Sequence, residues 1–148
     1  MDISIVNLQK KVSLNEKKII TLVRAILRHE KINKAALSFV FVTDARIKAL
    51  NKKFLKRAYA TDVLAFQGDC CSCDHHGLTG EIVISTDTAI ENAGTYQTPL
   101  AQEITLYIIH GILHLIGYDD HKAADIKKMR RKEEELLKAA GNKVNKIC

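Results

Sequence analysis

"TPLAQEITLYIIHGILHLIGYDDH", Thr98 to His121, decides how the rest of the chain is read, because it holds the strongest apolar helical pattern and three of the chain's 6 histidines. Thr98 followed by Pro99 reads as an N-cap with proline in the first helical position, and Gly117 as a left-handed stop, so a helix running through Leu115 is predicted. Residues four apart share a helix face, which brings the imidazoles of His110 and His114 to one point. The apolar run Ile104 to Ile116 is interrupted by both histidines and by Gly111. It also falls short of the roughly 18 residues that a bilayer span needs, so it reads as a core helix.

Outward from this helix, the patterns alternate between strand and helix. "DISIVNL", Asp2 to Leu8, alternates as a short strand does, and Asn15 caps a helix to about His29 with an apolar stripe of Ile19, Ile20, Val23, Ile26 and Leu27. "ALSFVFVT", Ala36 to Thr43, is β-branched and aromatic, and Asp44 is a suitable N-cap for the helix "ARIKALNKKFL". "TDVLAF" and "EIVIST" read as two further strands around a polar, cysteine-rich loop, Gln67 to Gly80. Thr86 to about Ala93 is a short helix with Gly94 and Thr95 as its stop, and "HKAADIKKMRRKEEELLKAAG" is a last helix with a narrow apolar face of Ile126, Met129, Leu136 and Leu137. "NKVNKIC" reads as a frayed tail. The expected architecture is α+β, a single domain over residues 1–148, with a small four-stranded mixed sheet packed against about five helices.

Composition narrows the class. A chain of 148 residues with 47% hydrophobic and 27% charged residues is typical of a globular protein and suits neither a disordered nor a membrane-embedded chain. The N-terminus, "MDISIVNLQKK", has an acidic residue at position 2 and its lysines after the apolar segment, the reverse of a secretory signal, so a cytoplasmic location is expected. The formal charge of +6 favours an acidic partner such as nucleic acid.

The histidine pair points to a metal, because two imidazoles at i and i+4 are how many zinc enzymes obtain their first two ligands. A third ligand must come from beyond the helix, and Gly117 lets the chain fold back across the metal. In His-x-x-x-His-x-x-Gly patterns the third ligand falls three residues past the glycine, which is Asp120, whereas ligand type favours His121. Peptidases of this pattern keep a glutamate after the first histidine as general base. Here that residue is Gly111, which cannot move a proton and whose value would be room for a bulky substrate at the metal.

"HGILHLIGYDDH" resembles the signature of the YbeY endoribonucleases, His-Gly-x-Leu-His-Leu-x-Gly-Tyr-Asp-His, with one more aspartate before the last histidine. "LNKKF", "TDVLAF" and "GEIVIS" resemble further family segments, and together the likeness spans roughly Leu50 to Met129. It implies an α+β fold and single-strand endoribonuclease activity in 16S rRNA 3′-end maturation and ribosome quality control. It also implies one Zn2+ on His110, His114 and His121, with Asp120 as the alternative third ligand. The family arginine that follows its aromatic residue is replaced by Leu55, and Arg57 is the expected substitute. His114 and Arg57 are the expected catalytic residues, and Lys52, Lys53, Lys56 and Arg57 the expected RNA contacts, with "KKMRRK" on the last helix as a further basic run. The expected partners are an rRNA precursor and the ribosome or its small subunit, with neither membrane nor DNA.

Other readings stay open on sequence alone. Three nitrogen or oxygen donors also accept Ni2+ or another divalent metal. A hydrolase of peptides or small molecules would need a base from elsewhere, for instance Glu81 or Asp62. A non-catalytic ribosome-assembly factor would fit if Asp120 and His121 both closed the site. "CCSCDHH" supplies Cys70, Cys71, Cys73, His75 and His76 as metal donors, but without zinc-knuckle spacing, and reads as an incidental loop. Tryptophan is absent and aromatics are only 5%, so recognition by base stacking is expected to be slight.

Overall fold

The computed structural model describes residues 1–55, 62–68 and 77–148. Its elements run β1 (Asp2–Asn7), α1 (Glu16–His29), β2 (Ala35–Val42), α2 (Asp44–Leu55), β3 (Val63–Gln67), β4 (Leu78–Ser85), α3 (Thr86–Tyr96), α4 (Leu100–Ile116) and α5 (Ala123–Ala140), ending in a 3-10 turn, Gly141–Lys146. The sheet order is β1-β2-β4-β3. β1 and β2 pair in parallel, as do β2 and β4, while β3 runs antiparallel to β4. The expected α+β architecture with a four-stranded mixed sheet is thus present.

The strands' two-residue period sends alternate side chains to opposite faces. On one face Phe39 and Phe41 of β2 sit beside Ile82 and Ile84 of β4, all fully buried. They join the core formed with α1, α4 and α5. On the other face Val42, Leu64 and Val83 form a smaller cluster with Ile47 of α2. The helices are therefore split by the sheet, and α4 lies on the larger side.

α4 is buried on almost every side, as its uninterrupted apolar pattern requires. Only Gln102, Leu106, His110, His114, Ile116 and the first residue, Leu100, within it retain partial exposure. The first four of these are spaced by four, so a single stripe of the helix faces outward and it carries both histidines. Close contact with β4 holds this orientation: a Cβ on Gly111 would lie 2.6 Å from Ile82 Cγ2, and one on Gly80 would lie 2.8 Å from Leu115 Cδ1. Gly111 is accordingly a packing residue against the sheet. The sequence reading of it as room for substrate is corrected, because the histidine-bearing stripe lies on another side of the helix.

Several local expectations shift. Pro99 occupies the N-cap of α4 without a side-chain bond, and the Thr98 hydroxyl instead donates to Glu103 Oε1 at 2.7 Å. α3 continues through Gly94 to Tyr96 and stops at Gln97, whose φ of 53° is left-handed. A single helical glycine costs only about 1 kcal/mol relative to alanine and need not end a helix. Asp44 does not cap its own helix; its carboxylate accepts from the hydroxyls of Ser85 and Thr88, tying α2 to the start of α3. The tail is not frayed: Ile147 is fully buried, and its carbonyl accepts the Asn15 N–H at 2.8 Å. Apolar Val144 and Ile147 close the core between α1 and α4, a burial that local polarity hid.

Candidate metal centre

Gly117 adopts φ 119°, and its N–H donates to the carbonyls of Leu113 and His114. Tyr118 N–H donates to Leu113 O at 3.0 Å. These paired bonds close the helix and turn residues 118–121 back over its outward stripe. The turn brings Asp120 to the histidines: Asp120 Oδ2 lies 3.5 Å from His110 Nε2 and 3.6 Å from His114 Nε2. The two Nε2 atoms are themselves 2.9 Å apart.

These separations suit a metal. Ligand bonds of about 2.0–2.1 Å in tetrahedral geometry place donors about 3.3–3.4 Å from each other. Two imidazole nitrogens and one carboxylate oxygen also match the donors of catalytic zinc sites, and three protein ligands leave a position for water or substrate. Among the described residues two groups could hold a metal ion, His110 with His114 and Asp120, and Asp119 with Asp120 and His121.

His121 takes a different position. It is grouped with Asp119 and Asp120, its Nε2 lies 3.4 Å from Asp119 Oδ1, and its side chain is 74% exposed. Asp119 and Asp120 are consecutive in the turn, so one carboxylate meets the histidine pair while the other meets His121.

Sequence reasoning missed Glu133. From α5, its Oε1 lies 2.7 Å from His110 Nδ1, and its side chain is only 20% exposed. A carboxylate can only accept here, so Nδ1 carries the proton. In neutral His110 the lone pair is therefore on Nε2, the atom that faces His114 and Asp120. The only signal in the sequence was a run of glutamates on an amphipathic helix, which reads as a solvated face.

The histidines differ electrostatically. Burial pulls His110 down, but the hydrogen bond and charge of Glu133, with Asp62 and Asp120 assisting, raise its pKa above the ordinary value. Burial and the neighbouring His110 charge lower that of His114, against opposition from Asp120 and Asp119.

Asp62, just before β3, contributes to the field at His110, whereas Glu81 is exposed and belongs to no metal-competent group among the described residues. Lys52 and Lys53 lie exposed in the last turn of α2. Lys56 and Arg57 lie outside the described residues, as do Cys70, Cys71, Cys73, His75 and His76.

The family model "Endoribonuclease YbeY" matches residues 4–141. The chain belongs to the YbeY family. The YbeY endoribonuclease of Syntrophus aciditrophicus (strain SB) is 36% identical over 142 residues, covering 93% of this chain and 88% of that protein. That of Pelotomaculum thermopropionicum is 38% identical over 145 residues, covering 93% and 95% respectively. The solution structure of a Thermotoga maritima protein superimposes with a TM-score of 0.63 at 26% identity, covering 93% of this chain and 88% of that one. YbeY membership thus extends over the sheet, the helices and the metal-competent turn alike. No helix among the described residues is long and apolar enough to cross a membrane.

Proposed function

We propose that this protein is a metal-dependent endoribonuclease that cuts single-stranded RNA in the cytoplasm, with precursor 16S rRNA near its 3′ end and the small ribosomal subunit as its setting. One observation carries the proposal: in a chain of the YbeY family, His110, His114 and Asp120 converge within bonding reach of one ion, with Glu133 behind His110. The ion is Zn2+ by donor chemistry, with Ni2+ the nearest competitor. The third ligand is Asp120, supported by its distances to both imidazoles, and His121 is the alternative that a rotation of the exposed turn would supply.

A bound divalent ion would supply Lewis acidity toward a phosphate oxygen and lower the pKa of a nearby water. The chain's residues do the rest. Glu133 holds the Nδ1 proton of His110 and fixes which nitrogen faces the centre. Burial and the neighbouring His110 lower the pKa of His114, which favours its neutral, ligand-competent form. Lys52, Lys53, Lys56 and Arg57 attract the RNA backbone, and Arg57 or Lys56 neutralises charge that develops on the phosphate.

The test is cleavage of a fluorophore-quencher RNA by purified, zinc-loaded, nuclease-free protein, alongside H114A and a generic peptide substrate. RNA cutting that His114→Ala abolishes is expected. Undiminished cutting by that variant, or peptide cleavage without RNA cleavage, refutes the proposal.

A further inference from the structure

Beside the metal-competent turn lies an open cleft of about 560 Å³ whose walls come from the end of α4 and from one face of α5. Ile116, Gly117, Tyr118 and Asp119 form the first wall, and Lys128 and Arg131 stand on the second. Asp119 is adjacent in sequence to the proposed ligand Asp120, which places the cleft beside the turn that completes the centre. α5 also supplies Glu133 to His110, which ties the cleft wall to the metal site through one helix.

The cations in this cleft are not equivalent. Lys132 is already committed, 2.8 Å from Glu30 and 3.0 Å from Glu135, and these pairs close the far end of the cleft. Lys128 and Arg131 are exposed and belong to no ion pair found among the described residues. Three apart on a helix, they share a face one turn from each other. Half-buried Tyr118 adds an aromatic surface, of the kind on which single-stranded bases stack.

We infer that this cleft is the subsite for the nucleotide flanking the cut, in which Lys128 and Arg131 hold the backbone phosphates of single-stranded RNA leaving the centre. The inference rests on the endoribonuclease reading and adds a direction to it: the strand runs from the metal centre along α5, in addition to any approach over α2. Within the basic run of α5 it also distinguishes Lys128 and Arg131, which face RNA, from Lys132, which locks the fold.

The experiment compares wild type, K128A/R131A, the charge-preserving K128R/R131K and a control, K138A/K143A, which removes two exposed cations elsewhere. Binding of a short fluorescent 2′-O-methyl RNA is measured by anisotropy across a salt series, cleavage of the unmodified RNA gives KM and kcat, and metal content is measured for each protein. For single strands the slope of log K against log salt changes by about 0.7 per phosphate contact. K128A/R131A is expected to flatten the slope by about 1.4, to raise KM roughly tenfold with kcat little changed, and to keep its metal. K128R/R131K is expected to behave as wild type. If K128A/R131A alters slope and KM no more than the control does while wild type cuts RNA, the subsite is refuted and the endoribonuclease reading stands. If wild type neither binds nor cuts RNA, both fall.

Discussion

Gly111→Ala isolates the contact that orients the histidine-bearing stripe of α4. In an exposed helix the change would stabilise the protein by about 1 kcal/mol. Here the new methyl would lie 2.6 Å from Ile82 Cγ2 and 3.1 Å from its Cδ1, inside the separations that real Cβ atoms tolerate. Ile82 is fully buried in β4 beneath the helix, so relief requires the helix to lift or the strand to give. Overpacking of this kind costs about 1–3 kcal/mol, which exceeds the propensity gain. G111A should therefore lower stability by up to about 2 kcal/mol, read from urea unfolding midpoints at unchanged slope. In an I82A background the obstructing atoms are gone, and the same substitution should turn neutral or stabilising. The double-mutant cycle then yields a coupling of at least about 1 kcal/mol between two side chains that touch. A G111A protein about 1 kcal/mol more stable than wild type, with no coupling to Ile82, would refute the packing role and restore the view of Gly111 as open space at the metal.

Two further outcomes test the centre itself. Glu133→Ala should weaken metal affinity by roughly 10–100-fold, whereas Glu133→Gln, whose amide oxygen can still accept from Nδ1–H, should retain much of it; competition with a chromophoric chelator measures both, and equal affinities for all three proteins would exclude a positioning role. The raised pKa of His110 means that its protonated form contributes stability to the metal-free protein fully below pH ~6.5 and loses it as pH rises through the folded value. The same proton competes with metal, so affinity should rise with pH over that upper interval and binding should release protons, checked by calorimetry in buffers of different ionisation enthalpy.

Much of this centre was legible because it is local. His110 and His114 share a face by helix geometry alone, Gly117 stops the helix because its left-handed φ excludes most side chains, and the strands announce themselves by β-branched alternation. The choice between Asp120 and His121 was not local: a turn of three residues can point either side chain inward, and only its path over α4 brings the Asp120 carboxylate to both imidazoles. Glu133 was hidden for the same reason, being 23 residues away from His110 on a helix whose glutamates look alike until α5 docks.

The sequence by itself determined the class of the fold, the paired imidazoles and the family resemblance, since each is written in spacing along one segment. Only the tertiary structure decided why Gly111 is glycine, which carboxylate meets the histidines, which carboxylate supports His110 from behind, and that Ile147 seals the core. Each of these is a contact between segments, and such contacts depend on how helices and sheet dock, which no periodicity within one segment encodes.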